Sequence, residues 1–123
     1  MLNLTPHEIV IQRGDIRIAL APSGRIARVS TIERYAEDPC QITLSNDSGT
    51  FTCEVPVVTR RFGYVTGLPE SDDPCIVSSI VLEAVKIQQP WRRNVFAPDT
   101  GPMAIRDDSG RVVAVTRLVG IAP

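Results

Sequence analysis

Short apolar runs rich in valine and isoleucine, each cut off within a few residues by a turn signal, dominate this chain. Such close alternation leaves little room for helices and is the pattern of a largely antiparallel β protein. Residues 8–12 carry Ile9, Val10 and Ile11, Arg13-Gly14-Asp15 breaks the run, and Ile16, Ile18 and Leu20 alternate with Arg17 and Ala19. This reads as a hairpin with Ile16, Ile18 and Leu20 on one face. Pro22-Ser23-Gly24 makes the next turn. Residues 30–38 are ambiguous, because Ser30-Thr31-Ile32-Glu33 matches a capping box. Continuation of the preceding strand through Ile32 is the preferred reading. In residues 40–53 a four-residue loop at 45–48 sets Leu44 opposite Gly49, Ile42 opposite Phe51 and Cys40 opposite Cys53. Cys40, Ile42, Leu44, Phe51 and Cys53 then share a face.

Pro56 is awkward in a central ladder and marks an edge or a strand start, and the strand continues through residue 66. Residues 67–74 form the longest polar loop, expected to be the most exposed and mobile part of the chain. Helix competes seriously only in residues 75–89. Cys75-Ile76-Val77 reads as buried strand. A short helix near 79–88 follows, capped by Ser79, with Ile80, Ala84 and Ile87 on one face beside Val81 and Val85, and is stopped by Pro90. Residues 92–102 read as irregular, and 103–119 as a closing hairpin around Asp107-Asp108-Ser109-Gly110. The expected fold is β-rich α+β: a twisted, mostly antiparallel sheet or partly open barrel with one short helix. At 123 residues it is expected to form a single domain, 1–123. Open sheet edges make a homodimer one candidate assembly.

Composition narrows function by exclusion. The chain has 13 basic and 14 acidic residues. That balance argues against a generic nucleic-acid binder, whose affinity comes from neutralising phosphates. No apolar run reaches the roughly 20 residues of a membrane span, and residues 1–7 lack the pattern of a secretory signal, so a cytoplasmic protein without membrane contact is expected. Cys40, Cys53 and Cys75 fall in no CxxC or histidine cluster, which fits buried free thiols better than disulfides or zinc. No P-loop or dinucleotide fingerprint occurs, and no cofactor is expected.

Six stretches carry a resemblance when taken together: Leu2-Asn3-Leu4-Thr5-Pro6-His7, residues 22–29 starting Pro22-Ser23-Gly24-Arg25, residues 62–69 ending Gly67-Leu68-Pro69, Ile76-Val77-Ser78-Ser79, residues 94–99, and residues 106–113. The chain resembles a family of small uncharacterised proteins encoded in bacteriophage and bacterial genomes. That likeness implies no catalytic residue. It implies a context, a mobile-element accessory protein with a regulatory or anti-defence task.

Candidate chemistry is sparse. His7 is the only histidine, and hydrogen bonding of His7 or Thr5 to nearby backbone competes with a ligand role. Ser78 and Ser79 lack the glycines of a nucleophile elbow and fit helix capping. Asp72-Asp73 and Asp107-Asp108 fall in turns, where aspartate satisfies local backbone donors. The arginine–aromatic clusters stand out. Arg60 and Arg61 precede Phe62 and Tyr64, and Arg92 and Arg93 follow Trp91. Residues of these types anchor protein interfaces and clamp anions. No catalytic or metal-ligating residue is assigned. Arg60, Arg61, Trp91, Arg92, Arg93 and His7 are expected to bind a partner, most simply a protein, with a small anion as the other candidate. The alternatives are a small-ligand or nucleotide-binding protein or weak hydrolase using His7, Ser78, Ser79 and Asp99, and a virion or assembly component.

Overall fold

The computed structural model describes residues 1–123. The chain is a β-rich α+β protein with one α-helix and sheets that do not close into a barrel. It divides into two compact units, one made of Met1–Val29 with Tyr64–Pro123 and the other of Ser30–Gly63.

The first unit is built around a four-stranded sheet of β1 (Leu2–Asn3), β8 (Cys75–Ile76), β9 (Val95–Pro98) and β12 (Leu118–Val119), in the order β1-β8-β9-β12. β8 pairs in parallel with both β1 and β9, while β12 runs antiparallel to β9. The parallel pairing of β8 with β9 follows from α1 (Ser79–Gln88), which lies between them in sequence and supplies the crossover that parallel strands require. A strand covered on both faces must be apolar at every position. Cys75, Ile76 and Val77 meet this condition and are all fully buried. Alternation sends Cys75 and Val77 into a core with Leu4, Val81, Leu82, Val85 and Val95. Ile76 points the other way, into a second cluster with Ile9 and Val115.

That second cluster is closed by the hairpin of β2 (Ile9–Arg13) and β3 (Ile16–Leu20), with Ile9 opposite Leu20 and Ile11 opposite Ile18. Ile9, Ile11 and Leu20 pack there, whereas Ile16 and Ile18 stay exposed toward the turn. β10 (Ile105–Arg106) and β11 (Val112–Ala114) form the predicted hairpin around 107–110, but the returning chain leaves it and β12 joins the main sheet. Residues 92–102, expected to be irregular, contain β9. Val95 and Ala97 are buried there and alternate with half-buried Phe96 and Pro98, a strand too short to stand out among prolines.

The helix occupies the predicted residues with its inward face shifted. Val81, Ala84 and Val85, three of the five apolar positions read from the sequence, are buried together with Leu82. Ile80 and Ile87, the other two, are exposed. Ser78, rather than Ser79, is the N-cap, its hydroxyl accepting from the Val81 amide at 3.5 Å.

The second unit holds two two-stranded ladders. β4 (Arg28–Tyr35) pairs with β7 (Val58–Thr66), and β5 (Cys40–Asn46) pairs with β6 (Gly49–Val55). The strand reading of residues 30–35 therefore holds, and Pro56 falls between β6 and β7, where no ladder amide is needed. In the β5–β6 hairpin the loop is two residues tighter than expected. Asn46 faces Gly49, Leu44 faces Phe51, Ile42 faces Cys53 and Cys40 faces Val55. The Asn46 side chain accepts from the Ser48 amide at 2.9 Å, which closes the turn early, and Gly49 takes a φ of +129° that favours glycine. A slip of two residues preserves side-chain parity, so the predicted face survives while its cross-strand pairs change. Cys40 and Cys53 are no longer opposite each other. Both are exposed and only Cys75 is buried, so the expectation of three buried thiols fails for two of them.

Candidate functional site

The N-terminal loop is organised by Asn3, which is buried. Its Nδ2 donates to the His7 carbonyl at 2.8 Å and the Leu20 carbonyl at 2.9 Å. Its Oδ1 accepts from the Thr5 amide at 3.0 Å and the Thr5 hydroxyl at 2.7 Å. The Leu2-Asn3-Leu4-Thr5-Pro6-His7 stretch is thus a self-bonded turn that pins the chain to β3. The Ser23 and Ala27 amides donate back to the Asn3 and Leu4 carbonyls, at 2.9 and 3.0 Å, which fixes the Pro22-Ser23-Gly24-Arg25 segment beside it.

A second knot secures residues 67–74. Arg25 Nη2 donates to the Leu68 carbonyl at 3.0 Å, and Arg92 Nη1 donates to the Pro69 carbonyl at 2.7 Å. Asn94 Nδ2 reaches the Asp73 carbonyl at 3.1 Å. Gly67 has φ +87°, and a Cβ there would lie 2.4 Å from the Ile26 carbonyl oxygen. The loop expected to be the most exposed is therefore bonded at several points, and Pro69 within it is buried.

Between this loop and the end of the helix lies a cleft of 530 Å³ whose walls include Glu70, Asp72, Trp91, Arg92, Arg93 and Phe96. The Gln89 amide closes α1 on the Val85 carbonyl, the Arg92 amide donates to the Gln89 carbonyl, and Trp91 is carried off the helix axis. Trp91 is 70% exposed. Arg93 is exposed beside it. Arg92 donates from Nη1 to the Pro69 carbonyl and from Nε to Gln89 Oε1 at 3.0 Å, which fixes its guanidinium as part of the cleft wall. Glu70, which the sequence did not single out, and Asp72, read there as a turn aspartate, place two carboxylates in the same cleft. Behind the cleft, burial pushes the Cys75 thiol up, and the charge of Arg92 pulls it only partly back, which is the reverse of what a nucleophile needs.

His7 lies elsewhere. It lines a separate, largely apolar cleft of 320 Å³ with Glu8, Val10, Pro98, Thr100 and Val113 among its walls. That cleft includes neither Ser78 nor Asp99. Asp99 is held by Arg117 Nε at 2.5 Å and by the Gly101 amide at 3.0 Å, and these bonds, the Arg117 one foremost, keep its carboxyl below the usual range. Asp107 closes its turn by accepting from the Ser109 hydroxyl and the Arg111 amide, which likewise lower its carboxyl. Asp99 and Asp107 are thus engaged in local structure. No three His, Cys, Asp or Glu side chains are gathered closely enough to hold a metal ion.

Arg60 and Arg61 belong to the second unit, where both are exposed and Arg60 pairs with Glu33 at 2.5 Å. Of the six residues expected to bind a partner, the structure brings Trp91, Arg92 and Arg93 into one cleft, His7 into another, and leaves Arg60 and Arg61 on β7. No helix is long and apolar enough to cross a membrane. No protein-family model, curated protein or solved structure matches the chain.

Proposed function

We propose that this chain is a non-enzymatic binding protein that takes a segment of another protein into the cleft beneath Trp91. One observation carries the reading: the only tryptophan of the chain stands 70% exposed at a cleft whose walls are hydrogen-bonded in place. An exposed large aromatic on a pre-formed support is the kind of side chain that dominates interface energetics. The cleft also sets Glu70 and Asp72 against Arg93. That mixture suits a peptide carrying both charges around an apolar residue and disfavours a polyanion, which two carboxylates would repel. The resemblance to phage-encoded proteins supplies a setting, a cytoplasmic accessory protein of a mobile element that acts by occupying its target.

The test selects binders from a displayed random-peptide library on the intact protein and reads them by Trp91 fluorescence. Selected peptides should quench or shift the emission. Trp91→Ala, which removes the fluorophore and is therefore read by titration calorimetry beside the parent, should weaken binding by at least about 30-fold, the equivalent of about 2 kcal/mol for a central aromatic anchor. A single-stranded oligonucleotide and inorganic phosphate should leave the fluorescence unchanged. Unchanged peptide affinity in a folded Trp91→Ala variant removes the proposal. A second reading, an assembly component, is favoured by the exposed face of the β5–β6 hairpin.

A further inference from the structure

The hairpin of β5 and β6 is amphipathic, and its apolar side faces water. Cys40, Ile42, Leu44, Phe51, Cys53 and Val55 share one face. Ile42 is 40% exposed, Leu44 50%, Phe51 53% and Val55 37%. The opposite face carries the hydroxyl pairs Thr43–Thr52 and Ser45–Thr50, each at 3.0 Å, with Gln41 opposite Glu54. No residue of the Ser30–Gly63 unit is buried. Two-stranded ladders without a covered face are marginal in water. The apolar face is therefore the side on which a partner would stabilise this unit.

We infer that this face is covered by a second copy of the same chain, packed across a two-fold axis that crosses the strands at the Ile42–Cys53 pair. Two features select a copy over an unrelated protein. The first is shape. Next to the turn the face is bulky, with Leu44 opposite Phe51, and two pairs further on it is smaller, with Cys40 opposite Val55. A two-fold axis at the pair between them lays Leu44 of one copy over Cys40 of the other, and Phe51 over Val55, so large side chains meet small ones. A two-fold interface requires this kind of self-complementarity. Area sets the strength of the pairing: the exposed parts of this face amount to about 450 Å² per copy, or about 900 Å² for the pair, below the ~1,200–2,000 Å² of a stable specific interface, so the dimer is weak and reversible. The second feature is charge. The face carries no charged residue that would select a different, charged partner. The result is a four-stranded sandwich of two hairpins that forms reversibly. This inference does not depend on the cleft beneath Trp91.

Sedimentation of the full-length chain over micromolar to millimolar concentration tests it. The expected result is a monomer–dimer equilibrium with a micromolar midpoint. Phe51→Glu should weaken the dimer at least tenfold, whereas Thr52→Glu, on the other face, should leave it unchanged. The geometry adds a readout on the unmodified face. Packed sheets lie about 10 Å apart, beyond the ~4.4–6.8 Å Cα separation of a disulfide, but within the span of a short bis-maleimide. That reagent should join copies through Cys53 at the axis, so Cys40→Ser crosslinks and Cys53→Ser does not. A chain that stays monomeric throughout, a dimer equally sensitive to Thr52→Glu, or crosslinking that persists in Cys53→Ser overturns the inference.

Discussion

Replacing Asn3 by alanine should cost about 3 kcal/mol of stability. Four hydrogen bonds converge on this one buried side chain, two given to the His7 and Leu20 carbonyls and two taken from Thr5. The Thr5 hydroxyl and the His7 carbonyl keep each other at 3.0 Å when Asn3 is truncated. The Thr5 amide and the Leu20 carbonyl lose the bond that Asn3 supplied, and orphaning a buried polar group costs about 1–3 kcal/mol. For a chain of this length the loss should lower the melting temperature by about 10 °C. Asn3→Asp separates bonding from packing, because it keeps the shape and the acceptor side but turns a carboxylate oxygen toward two carbonyls. Its folded-state pKa is then raised above the unfolded value of about 3.9, so the folded state takes up protons first as pH falls. The deficit of Asn3→Asp relative to the parent should be full at neutral pH and shrink as pH drops through the raised pKa. It should stop changing below the unfolded value, where both states are protonated. Urea unfolding followed by circular dichroism from pH 7 to pH 4 measures both effects. A cost below about 1 kcal/mol for Asn3→Ala, or a pH-independent gap for Asn3→Asp, refutes the view of Asn3 as the bonding centre of this loop.

Gly67→Ala should destabilise by at least about 2 kcal/mol in a thermal melt, since it combines a left-handed backbone with a Cβ set 2.4 Å from the Ile26 carbonyl oxygen. Gly14→Ala, with a φ of +57° and open space around the new methyl, should cost only about 1 kcal/mol. Maleimide labelling of the native chain below the concentration at which it dimerises, read by intact mass, should add two labels quickly, at Cys40 and Cys53, and a third only on unfolding, because Cys75 is buried and its thiol is pushed up. Three rapid labels would contradict the packing of β8.

Strands whose signal is local were legible in the sequence. The β2–β3 and β5–β6 hairpins announce themselves by alternation and by turns at Gly14 and Asn46, and the apolar face of β5–β6 was predicted although its register was not. Register depended on the Asn46 side chain bonding within the turn, which residue types alone do not settle. The parallel core was not legible. β1 and β8 are two residues each, and their pairing joins parts of the chain that share no local pattern. The helix was found but only part of its inward face was, because Ile80 and Ile87 are as apolar as Leu82 and only tertiary packing chooses between them. At the cleft, Trp91 and Arg93 stood out by composition. The role of Arg92 did not, since its partner is a backbone carbonyl at Pro69, which no side-chain pattern encodes. Glu70 carried no sequence signal beyond belonging to a polar loop, and Asp72 showed only as half of a carboxylate pair that turn chemistry explains.

The order of the central sheet bears on how a ribosome delivers this protein. β1 sits at residues 2–3, yet its only sheet partner is β8 at residues 75–76. At about 5–20 residues per second, β1 waits roughly 4–15 s before that partner is synthesised, whereas a hairpin closes in microseconds. The β5–β6 hairpin lies wholly within the interval and is made of contacts between near neighbours. During synthesis its uncovered apolar face therefore emerges before the central sheet can close, and neighbouring chains on one polysome would meet through it first.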